Sequence, residues 1–501
     1  VTRRRLLDAA LAAFFALPLV SLWGEPGILP IAKLLTATVF VVTAVRPTLG
    51  LCLLAALLSV SPALRTSLPV VQYSQESQAP VLALLAAGFA RLAFAPAGPP
   101  SRLAPPAWIF GIVIAAGGVM FTAGELSYLG LTRSLTEVWR HFTEWYFGIT
   151  PFLAQFRRSM AWIVALALAV FVERLLRRDR TMAEPVVRLA IVGAALAALF
   201  TIYRVGMMVA GSDDVLATLG RTIRGDQFNA FYADTNATGS LQVLFLIPAV
   251  WLAVSKRQAW AWAASFVLVI ALWLSGSRTA VVAVFGGAAA VWLLARRMPR
   301  RRLVVAGVIA AGAIAMAAWS TRPGRATIGQ ALTIRWNMGV ASVRAAATDP
   351  LLGVGVDRVT PSTVPFITPE FARYWRPAAR GENAHNNFIQ VLAETGVVGL
   401  AAFVWLLGAS VGSRSRWRAD TAADGMRAGV VGGLAGFVLS CLGGHPLMIE
   451  PVRLCFCLWL GIVAAGRPDE IADPSRRWPV RLVVASLILM VIVLSVRLAG
   501  L

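Results

Sequence analysis

Apolar residues run through this chain in long blocks separated by short polar links, with little of the alternation that marks a surface helix. The blocks fall at 6–22, 28–45, 48–62, 79–95, 107–122, 159–174, 186–203, 238–255, 258–274, 279–295, 303–320, 387–411, 427–444, 447–465 and 480–499. Most approach the ~20 residues that a helix needs to cross a bilayer. The pattern predicts an all-α fold, a polytopic transmembrane helical bundle of about 12–15 spans. It divides the chain into N-terminal transmembrane helices (1–185), a transmembrane core (186–320), a large outer loop containing short helices (321–386) and C-terminal transmembrane helices (387–501).

Two stretches fit less well. The 48–62 block is short and ends in Ser61-Pro62. Residues 137–156, with Trp139, Trp145 and Tyr146, are amphipathic and aromatic. They either lie in the interface plane or form part of a span, and the alternation of sides favours the interface.

Composition agrees with a membrane protein. The chain has 501 residues, 58% hydrophobic and 14% charged, against about 25% charged in a soluble domain. Cys52, Cys441, Cys455 and Cys457 all lie inside apolar runs, none at metal-ligand spacing from a histidine, and read as buried thiols. Arg3-Arg4-Arg5 followed by an apolar run resembles the start of a signal peptide. No small-x-small site stands before Trp23-Gly24-Glu25, so we read an uncleaved first span.

A net charge of +22 raises the question of nucleic acid. Its distribution answers against it. The clusters Arg174/Arg177/Arg178/Arg180, Arg296/Arg297/Arg300/Arg301/Arg302 and Arg414/Arg416/Arg418 each sit in a short link between apolar runs. With Arg3–Arg5 in the cytoplasm, alternating sides puts all three clusters inside, with Lys256-Arg257 and Arg476-Arg477, as the positive-inside rule requires.

Three outer segments are then long: 123–158, 204–237 and 321–386. Long connections are more often functional than passive. The second carries Arg204, Arg221, Arg224 and the pair Asp213-Asp214, which reads as a metal site or, preferably, a solvated loop pair. The third carries Arg322, Arg325, Arg335, Arg344, Arg358, Arg373, Arg376 and Arg380 against four acids, Asp349, Asp357, Glu370 and Glu382. An outer excess of arginine runs against the positive-inside bias. It suits a lipid phosphate or pyrophosphate, which the planar guanidinium binds bidentately; head-group contacts or pairing with the loop's acids are the plainer alternative. Arg335 is the leading candidate, early in a helix predicted over 331–347 that Asp349-Pro350-Leu351-Leu352-Gly353-Val354-Gly355 terminates.

Ser275-Gly276-Ser277-Arg278 joins two blocks by almost nothing. It places Arg278 at a helix start on the outer side, where free N–H groups and the helix dipole also favour an anion. An arginine at that depth without an acidic neighbour is a functional candidate; a snorkelling side chain is the alternative. His385 directly precedes the 387–411 block. Near a helix start and near arginines its imidazolium is disfavoured, which leaves the neutral ring that a general base must be. Asn387, Gln390 and Glu394 share one face of the following helix, a polar stripe that should face the protein interior. Arg278 is a candidate partner for Glu394. His445-Pro446 and Glu450/Arg453 form a second polar outer cluster, in which the pair Glu450/Arg453, spaced to meet on one helix face, reads as mainly structural; His141 reads as interfacial.

Together these residues resemble the O-antigen ligase and O-antigen polymerase superfamily. His385-Asn386, nine residues, then Gly396-Val397-Val398-Gly399 is similar to that family's His signature. Gly276-Ser277-Arg278 resembles its Ser-Arg motif, and Pro350-Leu351-Leu352-Gly353-Val354-Gly355 its Pro-Leu-x-Gly-x-Gly segment. The resemblance covers roughly residues 186–465. It implies an inverting glycosyl transfer without metal or cofactor, on the periplasmic face of the bacterial inner membrane. The donor would be a glycan on undecaprenyl pyrophosphate and the acceptor a sugar hydroxyl, with membrane lipids as partners and no nucleic acid. His385 would act on the acceptor hydroxyl and Arg278 on the pyrophosphate, with Arg335, Arg204, Asn386 and Glu394 as further substrate contacts. The same resemblance leaves open a polymerase joining lipid-linked repeats, with a chain-length regulator as partner, and transfer to protein. A flippase is the rival from another class, but transporters gather polar groups near the membrane midplane, and here they gather at one surface.

Overall fold

Backbone N–H and C=O groups inside a bilayer must find partners within the chain, and helices supply them segment by segment. The computed structural model describes residues 2–67, 77–96, 98–126, 130–148, 154–223, 234–294, 328–411 and 422–465, and every regular element among them is helical. The first group is α1 (Thr2–Gly24), α2 (Pro30–Val45), α3 (Pro47–Ser67), α4 (Gln78–Phe94), α5 (Ala104–Leu126), α6 (Leu131–Arg140) and α7 (Ala154–Leu176). The second is α8 (Ala183–Ala210), α9 (Val215–Ile223), α10 (Thr235–Lys256), α11 (Ala259–Ser275) and α12 (Arg278–Leu294). The large loop holds α13 (Ile328–Thr348), α14 (Val359–Thr363) and α15 (Pro369–Tyr374), and α16 (Asn387–Val411), α17 (Ala422–Ser440) and α18 (Glu450–Ala464) follow. Thirteen of the predicted blocks coincide with helices. The blocks 303–320 and 480–499, the arginine clusters 296–302 and 414–418, and Arg224, Arg322 and Arg325 lie outside the described residues.

Among the described residues five helices are long and apolar enough to cross a membrane: Arg3–Gly24, Gln155–Leu176, Arg180–Ala210, Thr235–Lys256 and Asn387–Val411. The helix pairs of the core approach closely because small residues meet there. On α12 and α17, a Cβ at Gly287 would stand 2.5 Å from the carbonyl oxygen of Gly432, so a side chain would force the two backbones apart.

Ion pairs identify the two ends of the bundle. At one end Arg174 of α7 grips Asp8 of α1 with two bonds of 2.6 and 2.7 Å, both side chains buried. Beside it Glu173 accepts from the backbone N–H groups of Arg102 and Leu103. Glu184, at the start of α8, binds both Arg188 and Lys256, the last residue of α10. Arg174 is therefore no free link residue but ties α7 to α1, while Arg177 faces Glu173 one turn back along its own helix at 3.5 Å. At the opposite end lie the starts of α10, α12 and α16 and the connection between α17 and α18, which meet around the site described below.

Three expectations need correction. Helix α8 runs on to Ala210, so Arg204 lies within a helix, not in an outer loop. Its extension is apolar after the arginine (Val205-Gly206-Met207-Met208-Val209), and Val205 and Val209 pack against Leu274 of α11. Helix α13 begins by Ile328, which puts Arg335 in its third turn. His141 is fully buried, not interfacial: it starts a single π-helical turn (His141–Trp145) and lies edge-on to Tyr146 and Phe156. The amphipathic stretch thus divides. Leu135 and Trp139 of α6 are exposed, whereas Tyr146 and Phe147 enter the core, tied to α1 through Ser21.

The Asp8–Arg174 pair yields a test. Removing one partner leaves a buried charge and costs about 3–5 kcal/mol, whereas replacing both by apolar residues of similar size is close to neutral. Asp8→Ala should unfold at markedly lower temperature in detergent, and Asp8→Leu/Arg174→Met should recover most of the loss. A single variant as stable as the parent would mean that Arg174 re-pairs.

Candidate functional site

The His385 turn is built by its own asparagines. Asn386 caps α16, its Oδ1 accepting from the N–H groups of Phe388 (2.9 Å) and Ile389 (3.1 Å), while its Nδ2 donates to the Leu442 carbonyl at 3.0 Å. Asn383 Oδ1 accepts the His385 N–H at 3.1 Å. Between them His385 adopts φ 47°, a left-handed conformation costly for a residue with a side chain and typical of functional positions. Asn386, expected to touch substrate, is thus occupied in holding the turn.

The polar stripe on α16 is as buried as its position requires, with Asn387, Gln390 and Glu394 each no more than 3% exposed. Its bonds wire the turn to the helix below. Gln390 Oε1 accepts the Ala384 N–H at 3.1 Å, and its Nε2 donates to Glu394 Oε1 at 2.8 Å. The same oxygen accepts the Asp357 N–H at 2.9 Å. The cations that face Glu394 are Arg453 and Arg158, the latter paired with Asp357. Arg278 is not among them, so the expected Arg278–Glu394 pair gives way to a carboxylate that organises backbone.

The glycine signature then acquires a physical reason. Gly396 sits inside α16 at φ 64°, ψ −169°, where the helix breaks. The break frees backbone groups, and the Pro350–Gly355 segment bonds to them. Val397 N–H donates to Pro350 O at 2.9 Å, Val354 N–H to Ala393 O at 2.8 Å and Gly355 N–H to Glu394 O at 3.0 Å. A Cβ on Gly396 would lie 2.2 Å from the Leu351 carbonyl oxygen, and one on Gly353 2.5 Å from the Glu394 carbonyl carbon. The two glycine-containing motifs are halves of one joint.

The arginines converge on the α17–α18 connection. Ser277 caps α12, its Oγ accepting from Ala280 N–H and donating to Asn236 Oδ1 at 3.0 Å. Arg278 follows it directly, and Thr279 reaches the Gly443 carbonyl at 3.5 Å. Arg335 Nε donates to the same carbonyl at 3.1 Å, which leaves its terminal nitrogens for a ligand. Arg335 is half-buried, and burial followed by the nearby Arg278 charge lowers its affinity for a proton. Asn387 N–H donates to Cys441 O at 2.8 Å, and Leu447 N–H to Asn387 Oδ1 at 3.2 Å, so this connection also grips the His385 turn. Arg204 is exposed on α8, joined to this end through its neighbour Val205 against Leu274. Asp214 caps α9 by accepting from Ala217 N–H at 2.8 Å, and Asp213 is exposed.

Sequence reasoning missed two residues here. His445, placed by the sequence only in an outer polar cluster, faces His385 edge-on with ring centroids 5.1 Å apart. Its Nε2 lies 3.1 Å from Asp234 Oδ2. Asp234 itself caps α10, its Oδ1 accepting from Asn236 N–H at 2.7 Å. The available signal was Asp234 before Thr235-Asn236, a good N-cap at the outer end of a span. His385 is held neutral down to about 4, first by burial and then by His445 and Arg335, with Asp234 pulling the other way. The site can therefore present a neutral imidazole beside two guanidinium groups, an arrangement suited to accepting a proton next to a bound anion.

Two tests follow. Gly396→Ala should destabilise the protein and weaken the His385 turn with it, because the added Cβ meets backbone that cannot move away; unchanged unfolding and activity would sever the joint from the site. His141 and His385 both hold their protons only below about 4, against 6.5 ordinarily. The unfolded chain binds those protons first, so stability is full above pH 6.5 and falls as pH drops towards 4. His141→Phe should make that slope shallower in unfolding measurements across the window. An unaltered slope would mean that His141 is not the buried neutral ring described.

No curated protein and no solved structure matches the chain. A protein-family model described as O-antigen ligase matches residues 263–404, a stretch that contains Arg278, Arg335, the Pro350–Gly355 segment, His385 and Gly396. Over that region the chain is similar to the O-antigen ligase family.

Proposed function

We propose that this protein is a membrane glycosyltransferase that moves a glycan from undecaprenyl pyrophosphate to a sugar hydroxyl of a lipid-linked acceptor at the periplasmic surface, in the manner of an O-antigen ligase. One observation carries the reading: Arg278, Arg335 and His385, distant in sequence, meet at one end of the bundle around the α17–α18 connection. Its sidedness rests on the opposite end, where Arg174, Arg177, Arg178 and Lys256 gather as they do on cytoplasmic faces.

In this mechanism His385 takes the proton of the acceptor hydroxyl as its oxygen attacks the anomeric carbon. The bond from that carbon to the pyrophosphate oxygen breaks on the opposite face, and its electron pair leaves with the pyrophosphate. Configuration inverts. Arg335, anchored by Nε alone, offers its terminal N–H pair to the phosphate oxygens, and Arg278 adds a second charge at a helix start. Two guanidinium groups supply the charge that other enzymes take from a metal ion.

The test is transfer by the purified protein in proteoliposomes from a polyprenyl-pyrophosphate glycan. Lipid A–core, a second lipid-linked repeat and a pilin-like protein are offered separately. Lipid A–core should be glycosylated; extension of the second repeat alone would make the protein a polymerase. His385→Ala should lower kcat on the order of 10²–10⁴-fold, and Arg278→Ala on the order of 10²–10³-fold. Full activity in either variant removes that residue from the mechanism. EDTA should have no effect, and loss of activity restored by a divalent cation would overturn the metal-free step.

A further inference from the structure

Behind His385 lies a second, unassigned layer. His385 Nε2, His445 Nδ1 and Asp234 Oδ2 are all buried and make no well-aligned hydrogen bond. Such atoms on neighbouring side chains are costly unless they serve one another or a reacting partner. The His385 and His445 rings lie edge-on at 5.1 Å between centroids, and His445 Nε2 stands 3.1 Å from Asp234 Oδ2. Rings at that spacing, turned so that nitrogen faces nitrogen, meet at ordinary hydrogen-bond length of about 2.8–3.0 Å. Catalytic hydrogen bonds are often long without substrate and tighten when it binds.

We infer that Asp234 and His445 form an orienting relay that sets which nitrogen of His385 acts as the base. The inference rests on His385 being the base, as proposed above. Asp234 Oδ2, an acceptor only, fixes the proton of His445 on Nε2. His445 Nδ1 is then a lone-pair acceptor and holds a proton on His385 Nε2. That leaves the lone pair of His385 on Nδ1, the nitrogen that is not buried without a partner. When Nδ1 takes the acceptor's proton, His385 becomes a cation whose Nε2–H points through His445 to the Asp234 carboxylate. No proton leaves the relay, and the charge is balanced by Asp234. Asp234 and His445 touch no substrate in this scheme and are positioning residues. Both lie outside residues 263–404, the stretch that matches the family.

Among the described residues the charged and titratable groups around the pair are few. Asp234 comes from the start of α10, Arg335 from α13, Arg278 from the start of α12 and His385 from the turn before α16. On α18, Glu450 accepts from Ser77 and Gln78, and Arg453 lies over Trp162 and donates to Leu447 O, both turned to other partners.

Asp234→Asn is the decisive variant. Asparagine is as good a helix cap as aspartate, so the fold should hold. Its Nδ2, however, donates where the carboxylate accepted. His445 must then carry its proton on Nδ1, and His385 must accept at Nε2 and hold its own proton on Nδ1, where the base should be. In the proteoliposome assay kcat should fall about 10²-fold or more, with KM for the donor and the unfolding temperature unchanged. In His445→Ala, kcat should also fall. In Asp234→Asn the acidic limb of the kcat/KM profile should move to lower pH, because the carboxylate that favours the His385 cation is gone. His385→Ala, run alongside, separates the two claims. An inactive His385→Ala with fully active Asp234→Asn and His445→Ala would overturn the relay alone, and a fully active His385→Ala would overturn the base itself. A loss in Asp234→Asn that followed the folded fraction, with an unmoved acidic limb, would reduce Asp234 to a cap and overturn the relay.

Discussion

The break in α16 at Gly396 is the constraint on which this site depends. A helix interrupted in an apolar setting exposes N–H and C=O groups, each of which costs several kcal/mol if left unpaired (on the order of 2–7 kcal/mol for an amide). Here Pro350–Gly355 supplies the partners, and the large loop is pinned to the middle of a membrane helix as a result. From the pinned segment the chain reaches Asp357, whose N–H meets Glu394; Glu394 meets Gln390, and Gln390 holds the backbone beside His385. The position of the histidine is thus set by a backbone joint two turns below it. Glycine is needed at Gly396 and Gly353 because backbone from the opposing segment occupies the space where a Cβ would be.

Electrostatics gives the site a direction. Arg335, with Arg278 near it, and Asp234, paired with His445, act on His385 with opposite sign. In a low-dielectric surrounding, cations near the ring disfavour its protonation in the resting state and favour bound phosphate. Once a proton has been taken, the same ring needs an anion nearby, and Asp234 is placed for that. The arginines meet the first condition and the carboxylate the second; neither meets both.

The membrane helices were legible in the sequence because apolar blocks of bilayer length have few other uses. The failures share a cause: each depended on packing that the local pattern does not show. Arg204 reads as an outer-loop residue because a charge follows Tyr203, although the apolar run Val205–Val209 continues the helix beyond it and packs on Leu274. His141 was placed at an interface because its own segment is amphipathic, whereas Phe156 and Tyr146 close over it. Glu394 was assigned to Arg278 by depth alone, and the break at Gly396 redirected it to Asp357 N–H. The glycine spacing itself was visible; its partner segment was visible too, but only the fold reveals that they bond to each other. His445 had no local signal, since both groups that meet it, Asp234 and His385, lie far before it in the chain.

The α17–α18 connection explains why these parts arrive at one point. Helix α17 ends at Ser440, and the carbonyls that follow its last turn have no partner within the helix. Cys441 O accepts from Asn387 N–H, Leu442 O from Asn386 Nδ2, and Gly443 O from Arg335 Nε with Thr279 Oγ1 beside it. Successive orphan carbonyls therefore collect the His385 turn, the large loop and the Ser-Arg helix start. The negative end of the helix dipole faces Arg335, which steadies the guanidinium without using its terminal nitrogens. A carboxylate in that place would also anchor the arginine, but it would oppose a bound pyrophosphate with a full negative charge. Backbone carbonyls carry only partial charge, so they position the cation and leave most of its field for the ligand.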